Sequence, residues 1–385
     1  MSKDDRAGKL ADLVLNYSVN LKSKDRLIIQ FDPAYSEYAF LIGKKARKIG
    51  AEVRYDSMTW DPIILRRFIE NYDSKEWKEE LSRRKELASW CSARVLLDNI
   101  TNSNYAWGIK NADEKVSEFN KEVVMPYKRV LYRAGKNHGC EVKWNIVGFP
   151  TKEDARAAKM SLSDYEDFVY DATLNNDWKN MAASMKRQKR IFDNAMDVHI
   201  VVPGLTDLHL SLKGRKGEIC SGECNMPDGE FFYGPREDSA NGHIYFNCPT
   251  QREGAGVIEG IKLEFKDGKV NNCSARKNQQ DLEATLNTDE GSRRIGELGI
   301  GCNYGIKRPI LSTLFDEKIG GSIHLALGES LNYKQFDKGG GINKSGIHWD
   351  IVCDLRRNPK NIREFPGGMI YVNDKLVQKD GTWII

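Results

Sequence analysis

Arg26-Leu27-Ile28-Ile29-Gln30-Phe31, a helical run over Glu37–Ile49, and then Gly50-Ala51-Glu52-Val53-Arg54-Tyr55 decide the fold of the first half of the chain. The first run is short, apolar and rich in branched residues, which reads as a buried strand. Gly50 stops the helix, and the chain resumes as a second strand. Strand, helix, strand at this spacing is a βαβ unit and implies a parallel sheet. The first strand-to-helix turn is Asp32-Pro33-Ala34-Tyr35. It lacks the glycine-rich loop that cradles a dinucleotide phosphate.

Working outward, Ala7 to Asn20 has helical spacing at Leu10, Leu13, Val14 and Tyr17. Beyond the βαβ unit, 61–71 and 74–88 read as helices and 94–98 as a strand. Lys115 to Gly135 reads as helical with Pro126 interrupting or restarting it, and 142–149 as a further strand. Residues 152–196 are polar and largely helical, and their basic run Lys186-Arg187-Gln188-Lys189-Arg190 fits a solvated helix face. At Pro203-Gly204 the texture changes to short strands punctuated by glycine. Lys266-Asp267-Gly268-Lys269 reads as a hairpin turn, and 278–295 as a helix. The expected organisation is an α/β N-terminal domain with a largely parallel sheet over 1–203. An α+β metal-binding domain follows over 204–385.

The chain has 385 residues and a net charge of +4. So small a charge gives no reason to expect nucleic acid or an acidic membrane as partner. No stretch approaches the roughly 18 apolar residues of a membrane span, and Met1 to Arg6 has no apolar core for a signal peptide. A cytoplasmic location is expected. The eight cysteines are scattered, and Cys220 with Cys224 is the only close pair, so free thiols are expected rather than a structural zinc site.

The chemistry-bearing residues gather in the last third. His348 and Asp350 stand two apart in Ser345-Gly346-Ile347-His348-Trp349-Asp350-Ile351-Val352. Two apart on a strand is one face, and imidazole plus carboxylate is a divalent-ion pair or, equally, a surface salt bridge. His324 lies in a glycine-bounded apolar strand, sharing its face with the small Ser322 and Ala326. Taken alone, it also reads as a core histidine. Glu297 is embedded among apolar residues and glycines, where an unpaired charge costs several kcal/mol. Glu230 opens an aromatic strand after a tight turn, and could equally be a solvated edge residue.

Four segments together resemble the thermophilic metalloprotease family of aminopeptidases, typified by aminopeptidases T and S. They are Asn225 to Pro235, Glu297 to Asn303, Asp316 to Gly328, and Gly339 to Asp354. The N-terminal half, including Lys48-Ile49-Gly50-Ala51-Glu52-Val53, fits the same family. The resemblance implies a site for two divalent metal ions, zinc, cobalt or manganese, with ligands falling on Glu230, Glu297, His324, His348 and Asp350. It further implies a hydroxide between the ions that attacks the first peptide bond of a short peptide, and a homodimer. Glu317 is a catalytic candidate, with an ion pair to Lys318 as its alternative. The family's tyrosine falls on Leu331, and Tyr333 takes its place if two residues are inserted. A mononuclear iron dioxygenase that opens dihydroxypyridine rings on the same scaffold would need only His324, His348 and Asp350. A diverged metal-binding protein is a third reading.

Overall fold

Arg26–Phe31 has five buried residues out of six, as a strand covered on both faces must. It sits inside a five-stranded parallel sheet in the order Glu52–Ser57, Arg26–Phe31, Ala93–Asp98, Lys143–Gly148, Asn225–Met226. The helix Ser36–Ile49 connects the first two strands. It ends where Gly50 takes φ +95° and its N–H bonds back to Ala46 and Arg47, a glycine C-cap. Pro126 falls where the π-helical turn Asn120–Val124 gives way to the α-helix Met125–Leu131, so its missing N–H coincides with a change of hydrogen-bond pattern. The structure is a computed structural model describing residues 3–57, 74–98, 120–133, 141–251, 256–331, 340–358 and 365–384. The helix expected over 61–71 and the candidate Tyr333 lie outside the described residues.

The chain forms two compact units. The first is Met1–Tyr170 with Gly222–Met226, and the second is Asp171–Ser221 with Pro227–Ile385. Pro203-Gly204, the expected place of the domain change, is the turn of a hairpin inside the second unit, between Val198–Val202 and Thr206–Leu210.

The second unit holds two antiparallel sheets. One has eight strands and runs from Lys269–Ser274 to Thr382–Trp383. The other has five, in the order His348–Asp354, Ser322–Gly328, Ile295–Gly301, Glu230–Tyr233, Glu218–Cys220. Their facing side chains share one core, in which Leu208, Ile244, Leu263 and Ile370 join Leu298, Ile323, Leu325 and Ile351. Asp267-Gly268 forms the expected hairpin turn with both residues at positive φ. The helix expected over 278–295 is shorter, at Gln279–Leu286. Asp289 ends it: its carboxylate accepts the Ser292 N–H at 2.8 Å, and the Ser292 hydroxyl donates to Leu286 O at 2.8 Å. That local turn competes with the helix and frees Ile295 to open a strand. Among the described residues no helix is long and apolar enough to cross a membrane.

Candidate metal centre

Side chains alternate across a strand, and the five-stranded sheet uses this to separate its two faces. Phe231, Leu298, Ile300, Ile323, Leu325, Trp349 and Ile351 enter the core. The residues between them, Glu230, Glu297, His324, His348 and Asp350, come out on the other face. Register brings these residues of four neighbouring strands together. Glu230 pairs with Gly301, Gly299 with His324, Glu297 with Ala326, Ala326 with Asp350 and Gly328 with His348. On one side each of these side chains faces glycine or alanine, while Glu230 also stands opposite Cys220 and His324 opposite Val352. At Gly299 an added Cβ would fall on the His324 imidazole. The glycines of Glu297-Leu298-Gly299-Ile300-Gly301 are therefore the space in which the polar groups stand.

The five residues form one cluster. His324 Nε2 is 3.1 Å from Glu297 Oε1, 3.3 Å from Glu230 Oε2 and 4.0 Å from Asp350 Oδ1. His348 Nε2 is 3.5 Å from Asp350 Oδ1 and 3.7 Å from Glu297 Oε2. His324 is fully buried, and His348, at the rim, is 26% exposed. Glu317 joins them at its backbone and side chain: its carbonyl lies 3.1 Å from His324 Nδ1, and its carboxylate groups with His324 and Asp350.

Both histidines are oriented in the same way. Nδ1 of His324 faces the Glu317 carbonyl, and Nδ1 of His348 faces the Glu329 carbonyl at 2.7 Å. A carbonyl oxygen only accepts, so each Nδ1 carries the proton and each Nε2 is turned to the carboxylates. Metal-ligating histidines are held in this manner. Three carboxylate oxygens facing them, Glu230 Oε2, Glu297 Oε2 and Asp350 Oδ1, are buried without a hydrogen-bond partner.

Lys318 completes the site, and sequence reasoning missed its main contact. It is fully buried and lies 3.0 Å from Glu230 Oε1, besides pairing with its neighbour Glu317. Cys220 and Asp228 flank the same group. In Asp316-Glu317-Lys318-Ile319-Gly320 the sequence offers only the neighbouring Glu317 as a partner, because the contact with Glu230 forms once the sheet is built.

The electrostatics show what the cluster lacks. Burial raises the Glu230 carboxyl to about 8 despite Lys318 beside it. Burial opposes a charge on His324, yet the Glu297 hydrogen bond and the Glu230 and Asp350 carboxylates raise it to about 10. His348 is likewise raised to about 10 against burial, chiefly by Asp350. Burial alone would raise Asp350, but His348 and then His324 hold it well below the usual carboxylate range. Four carboxylates thus face one ammonium, and without another cation two imidazoles must take up protons to balance them. Carboxylate oxygens with no partner, neutral Nε2 lone pairs and excess negative charge are the donor set of divalent transition ions. The residues present fit such ions.

Not every motif residue joins the cluster. Asn303, which closes the Glu297–Asn303 run, donates to the carbonyls of Ala172 and Asp228 at 2.9 Å each, and its Oδ1 accepts from Asn176 and Gly305. With all four bonds made, it fastens the end of a strand and has nothing left for a ligand.

The thermophilic metalloprotease (M29) family matches residues 3–383. Aminopeptidase PepS of Streptococcus thermophilus is 25% identical over 98% of this chain and 97% of its own length. Aminopeptidase T of Thermus thermophilus is 25% identical over 89% of this chain and 90% of its own. The solved structure of wild-type AmpT from Thermus thermophilus superposes over the full length of both chains with a TM-score of 0.76 at 20% identity. A 2,5-dihydroxypyridine dioxygenase from Pseudomonas putida shares the fold more distantly, with a TM-score of 0.56 at 13% identity, over 100% of this chain and 98% of its own. The chain therefore belongs to the thermophilic metalloprotease (M29) family of metallo-aminopeptidases, and is a hydrolase.

Proposed function

We propose that this chain releases the N-terminal residue from short peptides, using two divalent ions held by Glu230, Glu297, His324, His348 and Asp350. The observation that carries the reading is the set of three buried, unpartnered carboxylate oxygens facing two Nε2 atoms. Bound divalent ions would supply Lewis acidity, polarising the scissile carbonyl and acidifying a water at neutral pH. The protein's own groups do the rest. Lys318 occupies Glu230 Oε1 and leaves Oε2 as a single donor. Glu317 is the proton carrier: amide hydrolysis removes a proton from water and delivers one to the departing amine nitrogen. Burial raises its carboxyl, while Lys318 opposes the shift. The cluster's negative charge attracts the substrate's α-ammonium group, which selects peptides by their free N-terminus. Tyr333, outside the described residues, is assigned to stabilising the developing oxyanion.

A second reading draws on the fold shared with the dioxygenase. One iron would need only His324, His348 and Asp350. It leaves the buried Oε2 atoms of Glu230 and Glu297 without a role, and so favours the hydrolase. The family resemblance also supports a homodimer in the cytoplasm. Metal quantification with a dipeptide panel tests the main reading. We expect about two ions per chain, a fall on Glu230→Ala or Glu297→Ala, and free amino acid released from a metal-supplemented reaction. One tightly held iron, with oxygen uptake on a dihydroxypyridine, would replace it with the second.

A further inference from the structure

Leu311 has a backbone conformation that leucine rarely adopts. Its φ is +65°, in the left-handed region where only glycine escapes a clash with its own Cβ. Asp316 holds it there. The Asp316 carboxylate accepts the N–H of Ile310 through Oδ1 at 2.8 Å and that of Leu311 through Oδ2 at 2.9 Å. Asp316 is buried, ends the short helix Thr313–Asp316 and directly precedes Glu317. One carboxylate thus ties the strained residue to the segment that carries a proposed catalytic group. Strain of this kind persists where surrounding structure over-determines it, and it concentrates at functional sites.

Leu311 lines a small, open-mouthed cavity together with Pro249, Thr250 and Val352. Glu317 and Asp350 lie in the same wall, so the cavity is continuous with the metal-ligand cluster. Of its polar lining, which also includes Gln251 and Thr313, Asp316 and Thr250 are committed. Both oxygens of Asp316 accept backbone N–H groups. The Thr250 hydroxyl accepts from Trp349 Nε1 at 3.2 Å and lies 3.4 Å from the Asp350 carbonyl. Pro249, Leu311 and Val352 offer hydrocarbon. Val352 stands opposite His324 in the strand register, which places this wall beside the cluster.

In the first residue of a peptide, Cα is bonded both to the amine nitrogen and to the scissile carbonyl carbon. If those two groups sit at the cluster, the side chain must leave beside Glu317 and Asp350. The geometry points to this cavity as the pocket for that side chain, with Leu311 as the specificity-determining wall and a compact aliphatic group as its occupant. The inference rests on the aminopeptidase reading above.

The test uses the full chain supplemented with zinc, cobalt or manganese, and dipeptides X-Ala with X = Ala, Val, Leu, Phe or Arg. Calorimetry of free L-leucine and L-phenylalanine binding is run alongside. Leu311→Gly suits the positive φ and removes the wall, and Val352→Ala opens the same pocket from a strand. The wild type is expected to favour Leu over Phe and Arg by about tenfold or more in kcat/KM, on the scale of discrimination by hydrocarbon pockets. In both variants the Leu:Phe ratio should fall by about tenfold, with L-phenylalanine binding strengthened relative to L-leucine and metal content unchanged. A ratio unchanged in both variants, or Arg as the best first residue, would overturn the pocket while leaving the aminopeptidase intact. If no dipeptide is cleaved by the metal-loaded chain, the aminopeptidase reading fails. Amino-acid binding that is absent, or indifferent to Leu311→Gly and Val352→Ala, then disposes of the pocket independently.

Discussion

At the scale of single residues, this site depends as much on side chains that are missing as on those present. Gly299 is the clearest case, because the His324 ring occupies the volume a Cβ would take. Gly299→Ala should leave the core-facing Leu298 and Ile300 in place and displace the imidazole. We expect at least one metal ion to be lost per chain and activity to fall by about 10²-fold or more, on the scale of a misplaced catalytic group. Elemental analysis of the purified variant reads the first effect directly, and full metal content would show that His324 is not a ligand. The histidines carry a second consequence. Without metal, both imidazoles titrate near 10 instead of 6.5. A base raised in the folded state stabilises it fully below its unfolded pKa and loses that contribution as pH rises through the folded value. Glu230, raised to about 8, works in the same direction, because the folded chain holds its proton more tightly than the unfolded chain does. The chelated protein should therefore lose thermal stability between about pH 6.5 and 10. The metal-loaded protein should show a flatter profile, and metal uptake near pH 7 should release protons. A Tm series with and without chelator checks the sign.

At the scale of elements, the sequence pattern was most informative where period-two alternation and glycine coincide. Ser322–Gly328 and His348–Asp354 were readable as strands with their polar residues on one face, and both are so. The helix over 278–295 was overextended: no apolar residue follows Leu286 until Ile295, and the stop lies in Asp289 and Ser292 bonding to backbone. Such turns depend on one or two hydrogen bonds that periodicity does not register. Lys318 was legible only as a neighbour of Glu317. Its bond to Glu230 joins residues 88 apart in the chain and exists only once the sheet is built. Asn303 shows the opposite error to avoid, since a polar motif residue beside ligands turns out to be a fastener. Asn303→Ala would take one hydrogen bond each from the Ala172 and Asp228 carbonyls, the Asn176 amide and the Gly305 N–H. It should destabilise by about 2–4 kcal/mol, in keeping with buried polar groups left unsatisfied. If Asn303 is only a fastener, the variant should bind its full complement of metal at a temperature well below its melting point. Loss of metal without loss of stability would move Asn303 into the site.

At the scale of the whole molecule, the proposed metal ligands are unevenly distributed. All five proposed ligands, with Lys318 and Glu317, belong to the second unit, and four of its strands supply them. The parallel sheet of the first unit supplies none. In the metal-free state the second unit balances its four clustered carboxylates with one buried ammonium and with protons on both imidazoles, which divalent ions would displace. Ions that bind the folded state and not the unfolded one add RT ln(1 + [L]/Kd) to its stability, about 2.7 kcal/mol at a hundredfold excess over Kd. That increment should fall on the unit that holds the ligands. Chelation should therefore accelerate amide exchange across Ser322–Gly328 and His348–Asp354, while Arg26–Phe31 and Ala93–Asp98 keep their protection. A single thermal transition should broaden or divide in two, as expected when one cooperative unit is weakened selectively. Hydrogen exchange read strand by strand decides the matter. Equal loss in both sheets would show that the two units unfold as one, and no loss in either would show that the cluster holds no metal that matters to the fold.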